Sequence, residues 1–181
     1  MYAYLAQRRG IPAVLIQRLV DQGLLYQDRD HGNAVFINRE RTFAELRGTG
    51  DSPFHGMAAG SGPAAFWAFR PRGPDAIPET AYVCEAAIDA ISLYLLLVRD
   101  PHNRAEQHMY CSVGGAAKQQ AIDAVKAYMS AVGGLVVIAA DNDQAGEMCW
   151  LRNQDCQRAV PGPGLKDWNE AWLGVLSRKG A

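Results

Sequence analysis

The sequence has no apolar run long enough to cross a membrane. A spanning helix needs about 20 consecutive apolar residues, whereas the longest candidate, residues 91–98, contains Ser92 and is followed by Arg99-Asp100. A signal peptide is not predicted either, because Gln7-Arg8-Arg9 interrupts the N-terminus before an apolar segment develops. We therefore expect a cytoplasmic protein without a membrane partner.

The spacing of the four cysteines is not that of a zinc site. The chain has no Cys-x-x-Cys pair. Structural zinc sites need such closely spaced ligands. We therefore expect free thiols, as is usual in a reducing compartment.

Lysine is absent from residues 1–72, which carry nine arginines and six acidic residues and hence a net charge of about +3. The remaining residues carry nine basic and thirteen acidic side chains, a net charge of about −4. This asymmetry suits a basic part that binds phosphates beside an acidic part that binds cations. It also suits an ordinary fluctuation of surface charge, and charge alone does not decide between the two.

The chain is long enough for one domain with a small additional lobe: it has 181 residues, of which 49% are hydrophobic and 20% charged. The Gly- and Pro-rich stretch "PRGPDAIPE" (residues 71–79) marks a predicted boundary between an α+β N-terminal lobe, residues 1–76, and a second domain, residues 77–181. The lobe is predicted to begin with a helical segment to about Gly32, in which Pro12 starts a helix that Gly23 stops. Short strands are predicted at residues 33–37 and 42–46.

The second domain alternates between strand-like and helix-like segments. Apolar runs at residues 81–84, 108–113 and 135–140 predict strands, and residues 157–160 a fourth. Helices are predicted at residues 86–99 and 116–130 and from about residue 144. Strands separated by helices form mainly parallel sheets. We therefore predict an α/β fold with a mostly parallel four-stranded sheet flanked by helices, which binds its ligand beyond the carboxyl ends of the strands.

Acidic residues follow two of these strands. Glu85 directly follows the first, in "YVCEAAID", and Asp141 and Asp143 follow the third, in "VIAADND". Parallel strands would bring them to one edge of the sheet, and Asp89 would lie one helical turn beyond Glu85. A hard divalent cation, Mg²⁺ or Mn²⁺, would relieve their repulsion. Capping of helix N-termini is the alternative, and it suits each acid singly better than all of them together.

These motifs, in this order, resemble the Toprim domain. Its pattern is a Glu after the first strand and an Asp-x-Asp after a later strand, followed by Ala-Gly. The segments "VCEAAIDAISLY", "YCSVGGAAKQQ", "AADNDQAGE" and "PGPGLKDWNE" resemble primase-like Toprim proteins of plasmids and other mobile elements. In the lobe, "YLAQRRGIP", "LLYQDRDHGNAVFI", "ELRGTG" and "FHGMAAGS" resemble the region of unnamed function that precedes Toprim in those proteins. The resemblance implies a Toprim-like, Rossmann-like fold.

The resemblance also implies a role for each acid. Glu85 would act as general acid or base and would contribute to metal binding. Asp141 and Asp143 would hold Mg²⁺ or Mn²⁺. Asp89 matches an acid that follows the glutamate in primase-type members and is a candidate catalytic residue.

Further residues near the site are implied in the same way. Asp167, in "KDWN", matches another acid near the metal, and Lys166 beside it is a candidate catalytic contact to a phosphate. Arg47 matches the end of a strand where basic residues face the template in primases. The other predicted contacts to nucleic acid come from an Arg-rich aromatic segment and a glycine turn: Arg70, Arg72 and Lys118. A core role for the aromatics, and a ligand-free turn before Lys118, are the alternatives.

Three functions remain open. The leading hypothesis is a primase-like enzyme that makes short oligonucleotides from nucleoside triphosphates on single-stranded DNA, with a helicase or another replication protein as a further partner. A Toprim-type nuclease would use the same acids to cut phosphodiesters. A non-catalytic nucleic-acid-binding module of a larger replication or mobile-element complex would need no turnover.

Overall fold

The structure is a computed structural model that describes residues 1–50 and 54–178. The last three residues of the predicted second domain, 179–181, lie outside this range. Within it, the chain forms two β-sheets with helices packed around them.

The first sheet is antiparallel and follows two short helical elements. These elements are a π-helical turn, Tyr4–Arg8, and helix α1, Ala13–Asp21. The sheet contains β1 (Leu25–Gln27), β2 (Ala34–Ile37), β3 (Ala44–Arg47) and β4 (His55–Met57), paired in that order. The two strands predicted near residues 33–46 are therefore present as β2 and β3. The predicted helical segment to about Gly32 is wrong beyond Asp21, because Gly23 adopts φ +70° and β1 begins two residues later.

The second sheet has five strands rather than the four predicted. It contains β5 (Trp67–Phe69), β6 (Thr80–Cys84), β7 (Met109–Ser112), β8 (Leu135–Ile138) and β9 (Gln157–Arg158), in the order β5-β7-β6-β8-β9. The strands β6 to β9 are parallel, as expected, whereas β5 is an antiparallel edge strand. It comes from residues assigned to the N-terminal lobe, and both Trp67 and Phe69 are fully buried.

Helices cover both faces of the second sheet. They are α2 (Ala87–Leu97), α3 (Gln119–Val132), α4 (Gln144–Leu151) and α5 (Trp168–Ser177), with short 3₁₀ turns at Pro101–Asn103 and Ala105–Gln107. The faces differ in partner: α2 and α5 share a core with the N-terminal elements, and α3 packs on the other face. None of the helices in the described part of the chain is long and apolar enough to span a bilayer.

Three tryptophans connect the N-terminal elements, the second sheet and α5. The indole N–H of Trp67 donates to the carbonyl of Leu24, and that of Trp172 donates to the carbonyl of Gly10. Trp168 donates in the same way to Ala139, just past β8. One continuous hydrophobic core therefore runs from α1 and the first sheet to α2 and α5, and a second core lies within the second predicted domain, between its sheet and α3.

The loop after β8 turns tightly into α4, and this turn requires glycine at position 146. A Cβ added at Gly146 would lie 1.9 Å from the carbonyl oxygen of Asp141. The first turn of α4 therefore packs directly on the peptide that carries this acid. The glycine of the Ala-Gly pair after the Asp-x-Asp motif thus has a steric reason.

Gly146→Ala should lower the free energy of unfolding by about 1–3 kcal/mol, because the backbone must move to accept the methyl group. Gly174→Ala is the matched control: Gly174 lies inside α5, and an added Cβ would meet nothing within 4 Å. Alanine there should raise stability by about 0.5–1 kcal/mol through helix propensity. Urea unfolding of both variants measures this, and equal effects would contradict the steric argument.

Candidate active site

A cleft of about 360 Å³ lies at the carboxyl ends of β6, β7 and β8, between the two sheets. Its floor is formed by the loops that follow these parallel strands, and β3 and β4 of the first sheet close it from the other side. We call it the acidic cleft. The charged and titratable side chains that line it are Glu85, Asp89, Asp141, Asp167, Glu45, Arg9, Arg47, His55 and Lys166.

Glu85 is placed at the cleft because β6 ends one residue earlier. Its carboxylate accepts hydrogen bonds from the backbone N–H groups of Asp141, at 3.2 Å, and Ala116. Burial raises the pKa of Glu85 above its ordinary value and the charge of Asp143 adds to this, whereas the two N–H groups and Lys166 oppose it. The Glu85 carboxyl group therefore keeps its proton to a higher pH than an exposed glutamate does.

The carboxylate of Asp141 is the one in the cleft whose negative charge is least stabilised by its neighbours. Its Oδ1 atom is buried and, within the described residues, has no hydrogen-bond partner. Burial and the charges of Asp89, Glu85, Asp167 and Asp143 raise its pKa from 3.8 to about 8. Such an oxygen is an acceptor that lacks a donor or a cation.

Asp89 lies deeper, at 7% exposure, on the first turn of α2. Its Oδ1 accepts the backbone N–H of Asn169 at 3.0 Å, so it also caps α5 from a neighbouring helix. Burial and the charge of Asp167 raise its pKa to about 7, and the charge of Arg47 acts in the opposite direction. The structure thus brings the predicted acids Glu85, Asp89 and Asp141 into one cleft, which the predicted Asp167 also lines.

Asp143 instead caps α4. Its Oδ1 accepts the backbone N–H of Gly146 at 3.0 Å, and it lies outside the residues that line the acidic cleft. The capping alternative therefore accounts for its position. Its charge still acts on Glu85 and Asp141, and metal binding by Asp143 remains a prediction.

Asp167 both caps a helix and lines the cleft. Its Oδ1 accepts the N–H of Glu170 at 2.7 Å at the start of α5, while its charge raises the pKa of Asp89 and Asp141. Lys166, beside it, is exposed and lines the same cleft. Its backbone N–H donates to Glu170, so its position is set by the same helix start.

The N-terminal elements contribute side chains to the cleft that no sequence motif indicated. Glu45, Arg9 and His55 line the cleft together with the predicted Arg47. Strand alternation in "AELRG" was the available signal, because it puts Glu45 and Arg47 on one face of β3. No local pattern pointed to Arg9, which reaches the cleft through a hydrogen bond to Asn169 in α5.

The other predicted nucleic-acid contacts lie elsewhere. Arg70 lines a second groove of about 570 Å³, where its guanidinium lies 5.0 Å from the ring centroid of Tyr128. Arg72 is exposed, and Lys118 is exposed at the N-cap of α3. The structure does not bring these three residues into the acidic cleft.

The donor set of the acidic cleft fits a hard divalent cation. Across residues 1–50 and 54–178, no three His, Cys, Asp or Glu side chains are already arranged to hold a metal ion. Yet the cleft concentrates carboxylates that repel one another, and one buried carboxylate oxygen has no partner in the described part of the chain. Carboxylate oxygens are the ligands that Mg²⁺ and Mn²⁺ prefer.

Comparisons with known proteins agree with this geometry. The Toprim-like family matches residues 82–172, just over half of the chain, and a family described as a protein of unknown function (DUF3991) matches residues 3–72. The resemblance drawn from the motifs is thereby confirmed. No curated protein matches the chain.

Two solved structures share the fold. The primase fragment of the bacteriophage T7 primase-helicase protein has a TM-score of 0.64 at 16% identity, covering 99% of this chain and 72% of that one. A structure of the bacteriophage T7 lagging-strand DNA polymerase, with primase domains bound to an RNA/DNA hybrid and dTTP, has a TM-score of 0.56 at 16% identity. It covers 94% of this chain and 85% of that one. At this identity the similarity shows a common fold.

The raised pKa of Asp141 predicts how stability depends on pH. The folded metal-free protein keeps a proton that the unfolded chain releases near pH 3.8, so stability should fall as pH rises from about 4 to 8. Asp141→Asn removes this ionisation and should flatten the decline. Mg²⁺ should stabilise the wild type mainly above about pH 7 and the variant much less.

Urea midpoints at several pH values, with and without Mg²⁺, measure both effects. Asp30→Asn, an exposed acid outside the cleft, is the matched control and should behave as the wild type. A pH slope that is the same in Asp141→Asn and the wild type would contradict the assignment.

Proposed function

The chain belongs to the Toprim-like family, and we propose that it is a metal-dependent, primase-like nucleotidyltransferase that joins nucleotides on single-stranded DNA. The observation that carries the proposal is the convergence of Glu85, Asp89 and Asp141 in one cleft that also holds basic side chains of the first sheet. The structure of the T7 primase domains, whose fold is shared, has an RNA/DNA hybrid and dTTP bound.

Glu85 and Asp141 would hold the divalent cation, and Asp167 lies close enough to act on Asp141 through its charge. Bound there, Mg²⁺ or Mn²⁺ supplies positive charge that neutralises a triphosphate and stabilises the charge that develops during transfer. Asp143 contributes its charge from the start of α4. The unpartnered Oδ1 atom of Asp141 makes this residue the one on which the cation site depends most.

Glu85 would move the proton. Joining two nucleotides requires the attacking 3′-hydroxyl to lose a proton, and a carboxylate that lines the cleft is a candidate acceptor. The hydrogen bonds from Asp141 N–H and Ala116 N–H orient the Glu85 carboxylate towards the cleft.

Basic side chains would orient the phosphates. Arg47 and Arg9 line the cleft from the N-terminal side and Lys166 from the loop before α5. Guanidinium groups bind phosphate oxygens through paired N–H donors. With the acids on the floor, the cleft thus holds both signs of charge that binding of a metal–triphosphate complex needs.

Purified protein, supplied with single-stranded DNA, nucleoside triphosphates and Mg²⁺ or Mn²⁺, should make short oligonucleotides. Asp141→Ala should abolish the product, since the cation is lost, and chelation of the metal should do the same. Glu85→Gln should lower kcat about 10²- to 10⁴-fold, the usual contribution of a general base. Asp30→Asn serves again as the control with full activity.

Each other result has a defined meaning. Metal-dependent cutting of DNA or RNA without added triphosphates would indicate the nuclease that uses the same acids. Nucleic-acid binding that survives Glu85→Gln, with no turnover under any metal, would indicate a non-catalytic module. Either result would overturn the proposed nucleotidyl transfer.

A further inference from the structure

Glu45 is a buried carboxylate that reaches from the first sheet to the second. It is 4% exposed, and β3 carries it to the point where β7 ends and α2 begins. Its Oε2 atom accepts the backbone N–H of Ala87 at 3.0 Å and the hydroxyl of Ser112 at 2.7 Å. One oxygen atom therefore joins β3, α2 and β7.

The contact with Ala87 supplies a helix cap from outside the helix. The N-cap residue of α2 is Ala86, which has no side-chain hydrogen-bond acceptor. The first N–H groups of a helix lack partners within it, and a negative charge at this end is favoured by the helix dipole. Because α2 begins two residues after Glu85, the same contact also holds the loop that carries Glu85.

The other oxygen of Glu45 holds Arg47. Oε1 lies 3.2 Å from Nε of Arg47, two residues further along the same face of β3. The Arg47 side chain is 23% exposed and lines the acidic cleft, close enough for its charge to lower the pKa of Asp89. Among the residues that the structure describes, no acceptor engages its two terminal nitrogens. The paired donors that suit a phosphate are therefore left for a ligand.

We propose that Glu45 is a positioning residue that holds the Arg47 guanidinium over the acidic cleft to bind a substrate phosphate. The same carboxylate ties this guanidinium to the loop that carries Glu85, so the distance between phosphate contact and acids is set by one side chain. The inference rests on the proposed function for the substrate class. The phosphate belongs either to a nucleoside triphosphate or to the backbone of single-stranded DNA, which offer Arg47 the same chemistry.

Glu45→Gln separates the two roles of the carboxylate. The amide oxygen can still accept from Ala87 and Ser112, which need one acceptor atom, while the amide NH₂ then faces the Nε–H of Arg47. Two donors cannot bond to each other, so the guanidinium is released although the helix cap remains. Glu40→Gln is the matched control, because Glu40 is exposed in the same sheet region and lies outside the acidic cleft.

The test is a double-mutant cycle of Glu45→Gln and Arg47→Met. Calorimetric titration gives the Kd for ATP with Mg²⁺ and, separately, for a single-stranded oligonucleotide. We expect each single variant to raise the Kd for the ligand that Arg47 contacts by about 10- to 100-fold. The double variant should bind it no more weakly than Arg47→Met alone, and Glu40→Gln should bind as the wild type. The ligand whose Kd rises in the variants is the one that supplies the phosphate.

Ser112→Ala provides a second route if Glu45→Gln does not fold. It removes the hydrogen bond from the Ser112 hydroxyl to the Glu45 carboxylate and leaves the carboxylate charged. The Kd for the same ligand should therefore rise by a smaller factor. This loss should also disappear in the Arg47→Met background. Urea unfolding distinguishes it from general loss of structure.

Three results would overturn the inference: losses that multiply in the double variant, full affinity in Glu45→Gln, or a wild type that binds neither ATP nor the oligonucleotide. These results are distinct from a failure of the proposed function. If the wild type and Glu45→Gln make oligonucleotides with the same KM and kcat, the positioning role of Glu45 is rejected and the proposed nucleotidyl transfer is not affected. A coupled cycle in a protein that makes no product supports the positioning role and rejects the transfer reaction.

Discussion

Repulsion among buried carboxylates is the constraint on which the acidic cleft depends. Burial raises the pKa of Glu85, Asp89 and Asp141, and each charge adds to the difficulty of ionising its neighbours. Backbone N–H groups compensate Glu85 and Asp89, but among the described residues one oxygen of Asp141 has no such partner. Burial of carboxylates so close together lowers the stability of the fold, and this cost is the physical argument for the proposed cation.

Helix capping and ligand binding do not exclude each other here. Asp167 caps α5 while it lines the cleft, and Asp89 caps the same helix from α2. Asp143 caps α4 and influences the cleft through its charge. The carboxylates that make the cleft acidic thus include groups that cap helices, and the capping hydrogen bonds fix the positions of these carboxylates.

The second domain was largely predictable because its local signals agree. Apolar runs separated by helix-length segments indicated β6, β7 and β8 close to their observed bounds, and parallel strands necessarily end at the same edge. The convergence of Glu85 and Asp141 followed from that rule. The edge strand β5 was not predicted as part of this sheet, since its three residues lie in a Gly- and Pro-rich segment and are recruited by pairing with β7.

The sequence by itself determined which residue types end the parallel strands, and hence the acidic edge and the resemblance to the Toprim domain, because strand alternation and helix length are local properties of the chain. Only the tertiary structure decided which of these acids face one another, and that Glu45 would join β3 to α2 and β7. That contact joins residues 42 and 67 positions apart. Pairing across such distances depends on how the two sheets share one core, a property that no local pattern encodes.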